Sequence, residues 1–302
     1  MTQGTEAVGI LIDKNTKVVV HNATSPYAEG MIAGMTDAGT SVVAGVAVGK
    51  KGQVHEGIPL YDTIAQAVAA TGANTSVLYV PPLGVADALI ENVDAGIKLI
   101  VVIAEYVPVH DAMRGLAYAR QHGVWVIGPN CVGMAVPGLA MLSGVPEQYC
   151  RPGPVGVISR SGTMTMATTR VLTMNGIGQS AVVSMGGDGV IGRNQIDYVR
   201  LFEADPDTRV IVVVCELGGT REYDLIEALP TLTKPVVVLV LGRYAPTDRR
   251  MGHAGALATS GTETAQAKRA AFRAAGAHVA DSTYHVAEIV RGLLDQQVVA
   301  AA

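Results

Sequence analysis

The amino-acid sequence predicts an α/β protein with two domains, each built on a parallel sheet. Short, wholly apolar runs recur along the 302-residue chain and alternate with amphipathic stretches. Runs such as Val210 to Cys215 and Pro235 to Leu241 have the length of buried parallel strands and are far too short to span a bilayer. This alternation is typical of helices packed on both faces of a sheet.

The first half of the chain supplies the elements of the first predicted domain. The predicted strands are Val18–His21, Ser41–Val46, Ser76–Val80, Leu99–Ile103 and Val124–Ile127. The predicted helices are Tyr27–Ala38, Tyr61–Ala70, Val85–Asp94 and His110–Gln121. Each strand is a short run rich in apolar residues, and each helix has apolar residues at helical spacing.

The connection between the two domains is predicted at residues 136–154, where four prolines and several glycines leave no clear period. We therefore place the first domain at residues 1–143 and the second at residues 144–302. Beyond the connection the predicted strands are Val155–Ile158, Ala181–Ser184, Val210–Val214 and Pro235–Leu241. The predicted helices are Thr163–Met174, Asn194–Glu203, Thr262–Ala275 and His285–Asp295.

Composition narrows the possible functions. Hydrophobic residues make up 49% and charged residues 16% of the chain, so we expect ordered cores. A net charge of −4 argues against a nucleic-acid-binding surface. Cys131, Cys150 and Cys215 show neither disulfide nor zinc spacing, and we predict no metal site. The N-terminus lacks a basic region before an apolar stretch, so we expect a cytoplasmic protein without a signal peptide or a membrane segment.

Polar residues follow several predicted strands of the second domain, namely Ser161, Asp188, Glu216 and His253. Ligands of open parallel sheets bind beyond the carboxyl ends of the strands. If these strands share one sheet, the four side chains meet at one edge. The sequence itself does not order the strands.

Residues 249–256, Arg-Arg-Met-Gly-His-Ala-Gly-Ala, place one histidine among small residues and after two arginines. Small residues allow close approach of a ligand, arginine binds phosphate and carboxylate groups, and imidazole is a nucleophile near neutral pH. Our hypothesis is that His253 is transiently phosphorylated. The alternative is a glycine-rich loop with an incidental histidine.

Residues 159–163, Ser-Arg-Ser-Gly-Thr, form a candidate phosphate-binding turn between a strand and a helix. The first turn of a helix has unpaired N–H groups and a dipole that favours an anion. An ordinary helix cap is the alternative. Glu216 can orient one imidazole nitrogen and leave the other to attack phosphorus, although a surface carboxylate is the usual interpretation of a lone glutamate.

Two turns of the first domain are further candidates. Asn130, in Gly-Pro-Asn-Cys, can meet a carboxylate or a thioester, and a plain turn is the alternative. Lys50, in the basic turn at residues 49–52, can meet the phosphates of a nucleotide-like ligand, and a solvated loop is the alternative.

In this order and at these spacings, the motifs resemble the α subunit of succinyl-CoA synthetase, in the NDP-forming acyl-CoA ligase superfamily. The similarity runs from Ile10 to Leu294 and includes residues 11–18, 67–73, 94–100 and 216–219. It implies a Rossmann-like CoA-binding domain followed by a flavodoxin-like ligase domain. It also implies a separate β subunit with an ATP-grasp site for ATP or GTP with Mg²⁺, a small carboxylic acid substrate, and coenzyme A as acceptor.

The resemblance assigns roles to individual residues. His253 is the phosphorylated residue and Glu216 its partner, so that phosphohistidine converts the acid to an acyl phosphate from which the CoA thiol displaces phosphate. The residues implied to bind phosphate or substrate are Ser159, Ser161, Gly162, Thr163, Asn130 and Gly187. Those implied to bind coenzyme A are Thr24, Ser25, Lys50, Tyr79, Val80, Pro81 and Glu105.

The sequence departs from the family at the expected CoA and acid sites. The family's glycine-rich turn, Gly-Phe-Thr-Gly-Ser-Gln-Gly, is Asn22–Ala28 here, which has no glycine. Its Thr-Glu-Gly-Ile-Pro is Ala-Glu-Tyr-Val-Pro at residues 104–108. Val132 replaces the proline that follows the family's Asn-Cys pair. Met166-Ala167 replaces the Tyr-Glu pair that follows the family's Ser-Gly-Thr-Leu-Thr.

We therefore expect an ATP- or GTP-dependent acid–CoA ligase that acts on a carboxylate other than succinate. A ligase that passes the acyl group to another acceptor, such as an amine, is the first alternative, and the missing glycines motivate it. A non-catalytic CoA-binding subunit is the second, and the intact His253, Glu216 and Ser161 motifs argue against it.

Overall fold

The computed structural model of the protein describes residues 10–246, 249, 251–253 and 255–301. The chain forms two compact units. The N-terminal unit consists of Leu11–Val145 and Ser184–Arg193, and the C-terminal unit mainly of residues 146–183 and 194 onward. The domain limits given above, 1–143 and 144–302, stay a prediction.

The N-terminal unit contains a doubly wound sheet. The strands of that sheet are β1 (Val18–His21), β2 (Val42–Val46), β3 (Val54–His55), β4 (Ile58–Tyr61), β5 (Thr75–Leu78), β6 (Leu99–Val102) and β7 (Trp125–Ile127). Outside that sheet, the unit contains the strands β8 (Gly133–Val136) and β9 (Ala140–Leu142). Its helices are α1 (Met31–Asp37), α2 (Ile64–Thr71), α3 (Val85–Asp94) and α4 (Val109–Gln121).

The order β3-β4-β2-β1-β5-β6-β7 identifies the topology of this sheet. All its neighbouring pairs are parallel except β3 with β4. Without the short edge strand β3, the order is that of a Rossmann fold, 3-2-1-4-5-6. The predicted Rossmann-like fold is confirmed.

A cluster of buried apolar side chains holds the helices on this sheet. It includes Val19 of β1, Ile100 of β6 and Leu89 of α3. At Gly115 of α4 an added Cβ would lie 2.7 Å from the end of the Leu89 side chain and 3.2 Å from Cα of Ala86, so glycine favours the close packing of α3 and α4.

Two predictions in the N-terminal unit were wrong. The helix expected from Tyr27 begins at Met31, because turns occupy the preceding residues and Gly30 has a left-handed φ of 72°. No strand was predicted within the domain connection at residues 136–154, yet this stretch contains β9 and the first residues of the next strand, and β9 pairs with β8 as an antiparallel hairpin. These two strands contain one β-branched residue between them, so the sequence gives little sign of them.

The C-terminal unit contains five strands and five α-helices within its described residues. The strands are β10 (Pro152–Ser159), β11 (Gln179–Ser184), β12 (Val210–Glu216), β13 (Val236–Leu241) and β14 (His278–Ala280). The helices are α5 (Gly162–Met174), α6 (Gln195–Ala204), α7 (Glu222–Ala228), α8 (Ala265–Ala274) and α9 (Thr283–Ala301). Helix α7 and strand β14 were not predicted.

These strands lie in the order β14-β13-β12-β10-β11. If the five strands are numbered 1 to 5 along the chain and the order is followed from β11, it is 2-1-3-4-5, the order of flavodoxin-like folds. Strands β10, β12, β13 and β14 run parallel. The predicted flavodoxin-like fold is confirmed. In both sheets the switch point, where ligands bind, lies between two adjacent strands: β1 and β5 in one, β10 and β12 in the other.

None of the described helices has both the length and the apolar character needed to span a membrane.

Candidate active site

His253 and Glu216 form a hydrogen-bonded pair in the C-terminal unit. Glu216 ends β12 and is 5% exposed, and its Oε2 lies 2.7 Å from Nδ1 of His253. The His253 side chain is 26% exposed. Because an ionised carboxylate only accepts hydrogen bonds, Nδ1 carries the proton and Nε2 carries the lone pair. This arrangement presents Nε2 as a nucleophile.

The loop that carries His253 is closed by its own backbone. Met251 N–H donates to the carbonyl of Ala256 at 2.8 Å, and His253 N–H donates to the carbonyl of Met251 at 3.0 Å. The second bond forms a three-residue turn centred on Gly252, whose φ of 76° favours glycine. Of the predicted motif, Arg250 and Ala254 lie outside the described residues.

The Glu-Leu-Gly-Gly turn after β12 makes room for this loop. Gly218 has a φ of 90°, and an added Cβ would lie 2.2 Å from the carbonyl oxygen of Gly255. The glycine therefore serves both the backbone conformation and the close approach of the two segments. Together these features place His253 over the end of β12.

A buried network of charges surrounds Glu216. Nε of Arg160 lies 3.3 Å from Glu216 Oε1, and another guanidinium nitrogen of Arg160 lies 3.8 Å from Glu222. Lys268 is fully buried; its Nζ donates to Glu222 at 2.7 Å and to the carbonyls of Glu216 and Gly218 at 3.0 and 2.7 Å. Two cations thus balance two carboxylates away from water, as buried charges require.

This network fixes the carboxylate that contacts His253. Arg160 lies beside one oxygen of Glu216, His253 contacts the other, and Lys268 holds the backbone at the same residue. Sequence reasoning missed Arg160, Glu222 and Lys268 as functional residues. One signal was available for Lys268, because it shares the buried face of α8 with Ala265 and Phe272 at helical spacing.

The predicted anion-binding turn caps helix α5. Ser161 Oγ accepts from Met164 N–H at 3.3 Å, while Gly162 and Thr163 begin the helix. The Ser159 hydroxyl is used within the turn, because it donates to the carbonyl of Ser161 and accepts its N–H. Ser161 lines a cleft of about 190 Å³ together with Glu216 and His253. The N-cap of α5 thus lines the same cleft as His253, and the start of a helix favours an anion.

Asn130, Gly187 and Asp188 come together in the N-terminal unit. Asn130 donates to a carboxylate oxygen of Asp188 at 3.0 Å, and Gly187 N–H donates to the carbonyl of Asn130 at 3.0 Å. The sequence suggested that Asp188 would meet Ser161, Glu216 and His253. Ser161, Glu216 and His253 line one cleft, whereas Asp188 accepts a hydrogen bond from Asn130.

The residues expected to bind coenzyme A are divided between a cavity and two turns. Tyr79, Val80, Pro81 and Glu105 line a cavity of about 430 Å³ beyond the carboxyl ends of β5 and β6. Thr24 and Ser25 lie in the turns after β1 and Lys50 in an exposed turn after β2. None of these three belongs to the described lining of the cavity.

Burial keeps one tyrosine hydroxyl and the three cysteine thiols of the chain in their neutral forms. It raises the pKa of Tyr79, whose hydroxyl lies 3.0 Å from that of Ser143, to about 12. It raises the pKa values of Cys131 and Cys150 to about 12 and that of Cys215 well above its ordinary range. These thiols are therefore not nucleophiles near neutral pH.

Comparison with known proteins places the chain in a family. A CoA binding domain matches residues 13–106 and a CoA-ligase domain matches residues 158–278. Two succinate–CoA ligase [ADP-forming] α subunits of Archaeoglobus fulgidus are 42% and 44% identical, over 95% of this chain and 99% and 100% of theirs. The chain belongs to the family of succinate–CoA ligase α subunits. The resemblance inferred from the sequence is confirmed, and this family consists of NDP-forming acid–CoA ligases.

A solved structure extends the family likeness of this α subunit. ATP citrate lyase from Methanothrix soehngenii, in complex with citrate and coenzyme A, superposes with a TM-score of 0.88 at 31% identity. The match covers 97% of this chain and 52% of the lyase chain, so the α subunit spans about half the length of that relative.

Proposed function

We propose that this α subunit combines with an ATP-grasp β subunit to form an ATP- or GTP-dependent acid–CoA ligase in which His253 carries the phosphoryl group. The observation that carries the proposal is the 2.7 Å contact between Nδ1 of His253 and buried Glu216. The ADP-forming activity in the relatives' names favours ATP as the nucleotide.

In the first step, Nε2 of His253 attacks the γ-phosphorus of the nucleotide, and the nucleoside diphosphate leaves with the electron pair of the broken P–O bond. The ring becomes positively charged as the P–N bond forms. Glu216, 2.7 Å from Nδ1, stabilises that charge. In this proposal the N–H groups at the start of α5 bind the phosphoryl oxygens, and the cleft that Ser161 shares with His253 supports this role.

In the second step, a carboxylate oxygen of the acid attacks the phosphorus, and the P–N bond returns its electron pair to Nε2. The product is an acyl phosphate. In the third, the thiolate of coenzyme A attacks the acyl carbonyl, and inorganic phosphate leaves. The cleft of about 190 Å³ beside His253 suits a phosphoryl group and a small acid.

The nucleotide and its Mg²⁺ belong to the β subunit in this proposal. Within the described residues there is no group of three or more His, Cys, Asp and Glu side chains placed to hold a metal ion. The role of this chain is to present and orient the imidazole.

We propose further that the acid is not succinate, because Val132 and Met166-Ala167 replace family residues at the acid site. A panel of carboxylic acids assayed with the β subunit tests this. We expect another acid to exceed succinate in kcat/KM by at least about tenfold, the effect of roughly one lost contact. A preference for succinate would overturn the proposal.

The acceptor is coenzyme A in this proposal, and the match to a CoA binding domain supports it over an amine. Release of nucleoside diphosphate that depends on both acid and coenzyme A is the expected result in a coupled assay. Turnover with an amine in place of coenzyme A would favour the alternative acceptor. The His253–Glu216 pair argues against a non-catalytic subunit.

A further inference from the structure

We propose that Tyr27 and Tyr106 bind the adenine base of coenzyme A by stacking, in place of a glycine-rich cradle for its phosphates. This inference rests on coenzyme A as the acceptor. Both tyrosines line the cavity of about 430 Å³ in the N-terminal unit. They are 81% and 86% exposed, so neither ring serves the hydrophobic core.

The two tyrosines stand where the sequence departs from the family. Tyr27 belongs to the segment Asn22–Ala28, which replaces the glycine-rich turn, and Tyr106 replaces the glycine of Thr-Glu-Gly-Ile-Pro. Two separate departures therefore bring an aromatic ring to the same cavity. Loss of the glycine-rich turn alone would remove phosphate binding, and it would not require a tyrosine at each of these two positions.

Tyr106 is held in an unfavourable backbone conformation. Its φ of 61° lies in the left-handed region, which glycine adopts readily and which a bulky residue rarely does. The ring is almost fully exposed, so packing within the protein does not offset this strain. Strain of this kind is found at ligand-binding segments, where the ligand supplies the missing contacts.

The charge of the cavity selects the base over the phosphates. Glu105 is the acidic residue of the described lining, and that lining contains no lysine or arginine. A carboxylate repels phosphate groups but accepts hydrogen bonds from an exocyclic amine such as that of adenine. The other lining residues are apolar or aromatic, including Val80, Pro81 and Ile103. A planar, neutral heteroaromatic ring fits this surface.

The test is calorimetric titration of the α subunit, in complex with its β subunit, with coenzyme A and with 4′-phosphopantetheine, which lacks the nucleotide. The variants are Tyr27→Ala, Tyr106→Gly and Tyr106→Phe. Tyr284→Ala, an exposed tyrosine of α9 outside the cavity, is the matched control. Loss of one stacking ring should weaken coenzyme A binding by roughly 5- to 150-fold and leave 4′-phosphopantetheine binding unchanged.

The other variants separate stacking from a structural role. Tyr106→Phe keeps the ring and should bind coenzyme A within about twofold of the wild type. Tyr106→Gly should keep a Tm equal to or above that of the wild type, because glycine relieves the strain at this φ. A lower Tm, or equal losses for coenzyme A and 4′-phosphopantetheine, would overturn the inference.

Two further outcomes are distinguishable. If the Tyr27→Ala and Tyr106→Gly variants bind coenzyme A as tightly as the wild type does, this inference alone is overturned. Failure of the wild type to bind coenzyme A overturns the proposed acceptor and this inference with it.

Discussion

The two units carry their candidate sites at the same topological position but build them from different interactions. In the C-terminal unit, buried Arg160, Glu222 and Lys268 fix Glu216 beneath His253. In the N-terminal unit, the cavity is largely apolar and two of its tyrosines face solvent. The proposed phosphoryl-transfer site depends on the orientation of one imidazole, whereas the proposed coenzyme A site needs affinity only. The departures from the family fall mainly in the second.

The largest expected effect is the loss of phosphoryl transfer in a variant that still binds coenzyme A. His253→Ala should lower phosphoryl transfer to the α subunit below detection, since the attacking nitrogen is removed. The fold should persist, because the side chain is partly exposed on a loop. Coenzyme A binding should be unchanged. We would measure acid-labile phosphate, thermal unfolding and coenzyme A titration on the same preparation, and loss of the fold would favour the structural interpretation of His253.

The next effect is on stability. Lys268→Met leaves Glu222 buried without its cation and two carbonyls without a donor, which should lower the free energy of unfolding by about 3–5 kcal/mol. Glu222→Gln in the same chain should recover part of that loss, because no unpaired charge then remains. Denaturant unfolding of both variants measures this. A double variant no more stable than Lys268→Met would show that charge pairing does not hold this site.

A smaller effect tests whether Glu216 orients the nucleophile. Glu216→Gln keeps the size of the side chain but loses the negative charge beside Nδ1, and should slow phosphorylation by about 100-fold. Glu105→Gln makes the same chemical change in the N-terminal unit and should leave this step unaltered. Rapid-quench labelling gives both rates. Equal rates for wild type and Glu216→Gln would remove Glu216 from the mechanism.

The smallest effect concerns a buried thiol of the N-terminal unit. Burial raises the pKa of Cys131 from 9.0 to about 12, so the folded state keeps a proton that the unfolded state loses above pH 9. The stabilisation is present below pH 9 and falls as the pH rises toward 12. Between pH 9 and 10, wild type should lose about 1 kcal/mol more than Cys131→Ala. Equal slopes of stability against pH would contradict the raised pKa.

The sequence was sufficient for the fold because periodicity and glycine placement are local signals. Strand Val18–His21 and helix Val85–Asp94 were predicted with their observed limits. The start of α1 was misplaced because the backbone conformation of Gly30 cannot be read from its identity. The hairpin of β8 and β9 was missed because its strands, Gly-Met-Ala-Val and Ala-Met-Leu, lack the run of β-branched residues that marks Val18–His21.

The pairing of His253 with Glu216 was proposed from motifs, and the structure places them in contact. The network behind Glu216 was not foreseen, since Arg160 and Lys268 are separated by more than a hundred positions and meet only through the sheet order. Long-range electrostatic contacts leave no periodic trace in a sequence. A lysine on the apolar face of α8 was the one available hint.

The most direct test of the central claim is to mix the wild-type α subunit with its β subunit and γ-labelled ATP and to map the phosphate at atomic level. We expect acid-labile phosphate on Nε2 of His253, resolved by ³¹P and ¹⁵N NMR, because Nδ1 is held by Glu216. Phosphate on Nδ1, on another residue, or absent despite a competent partner and nucleotide would contradict this expectation.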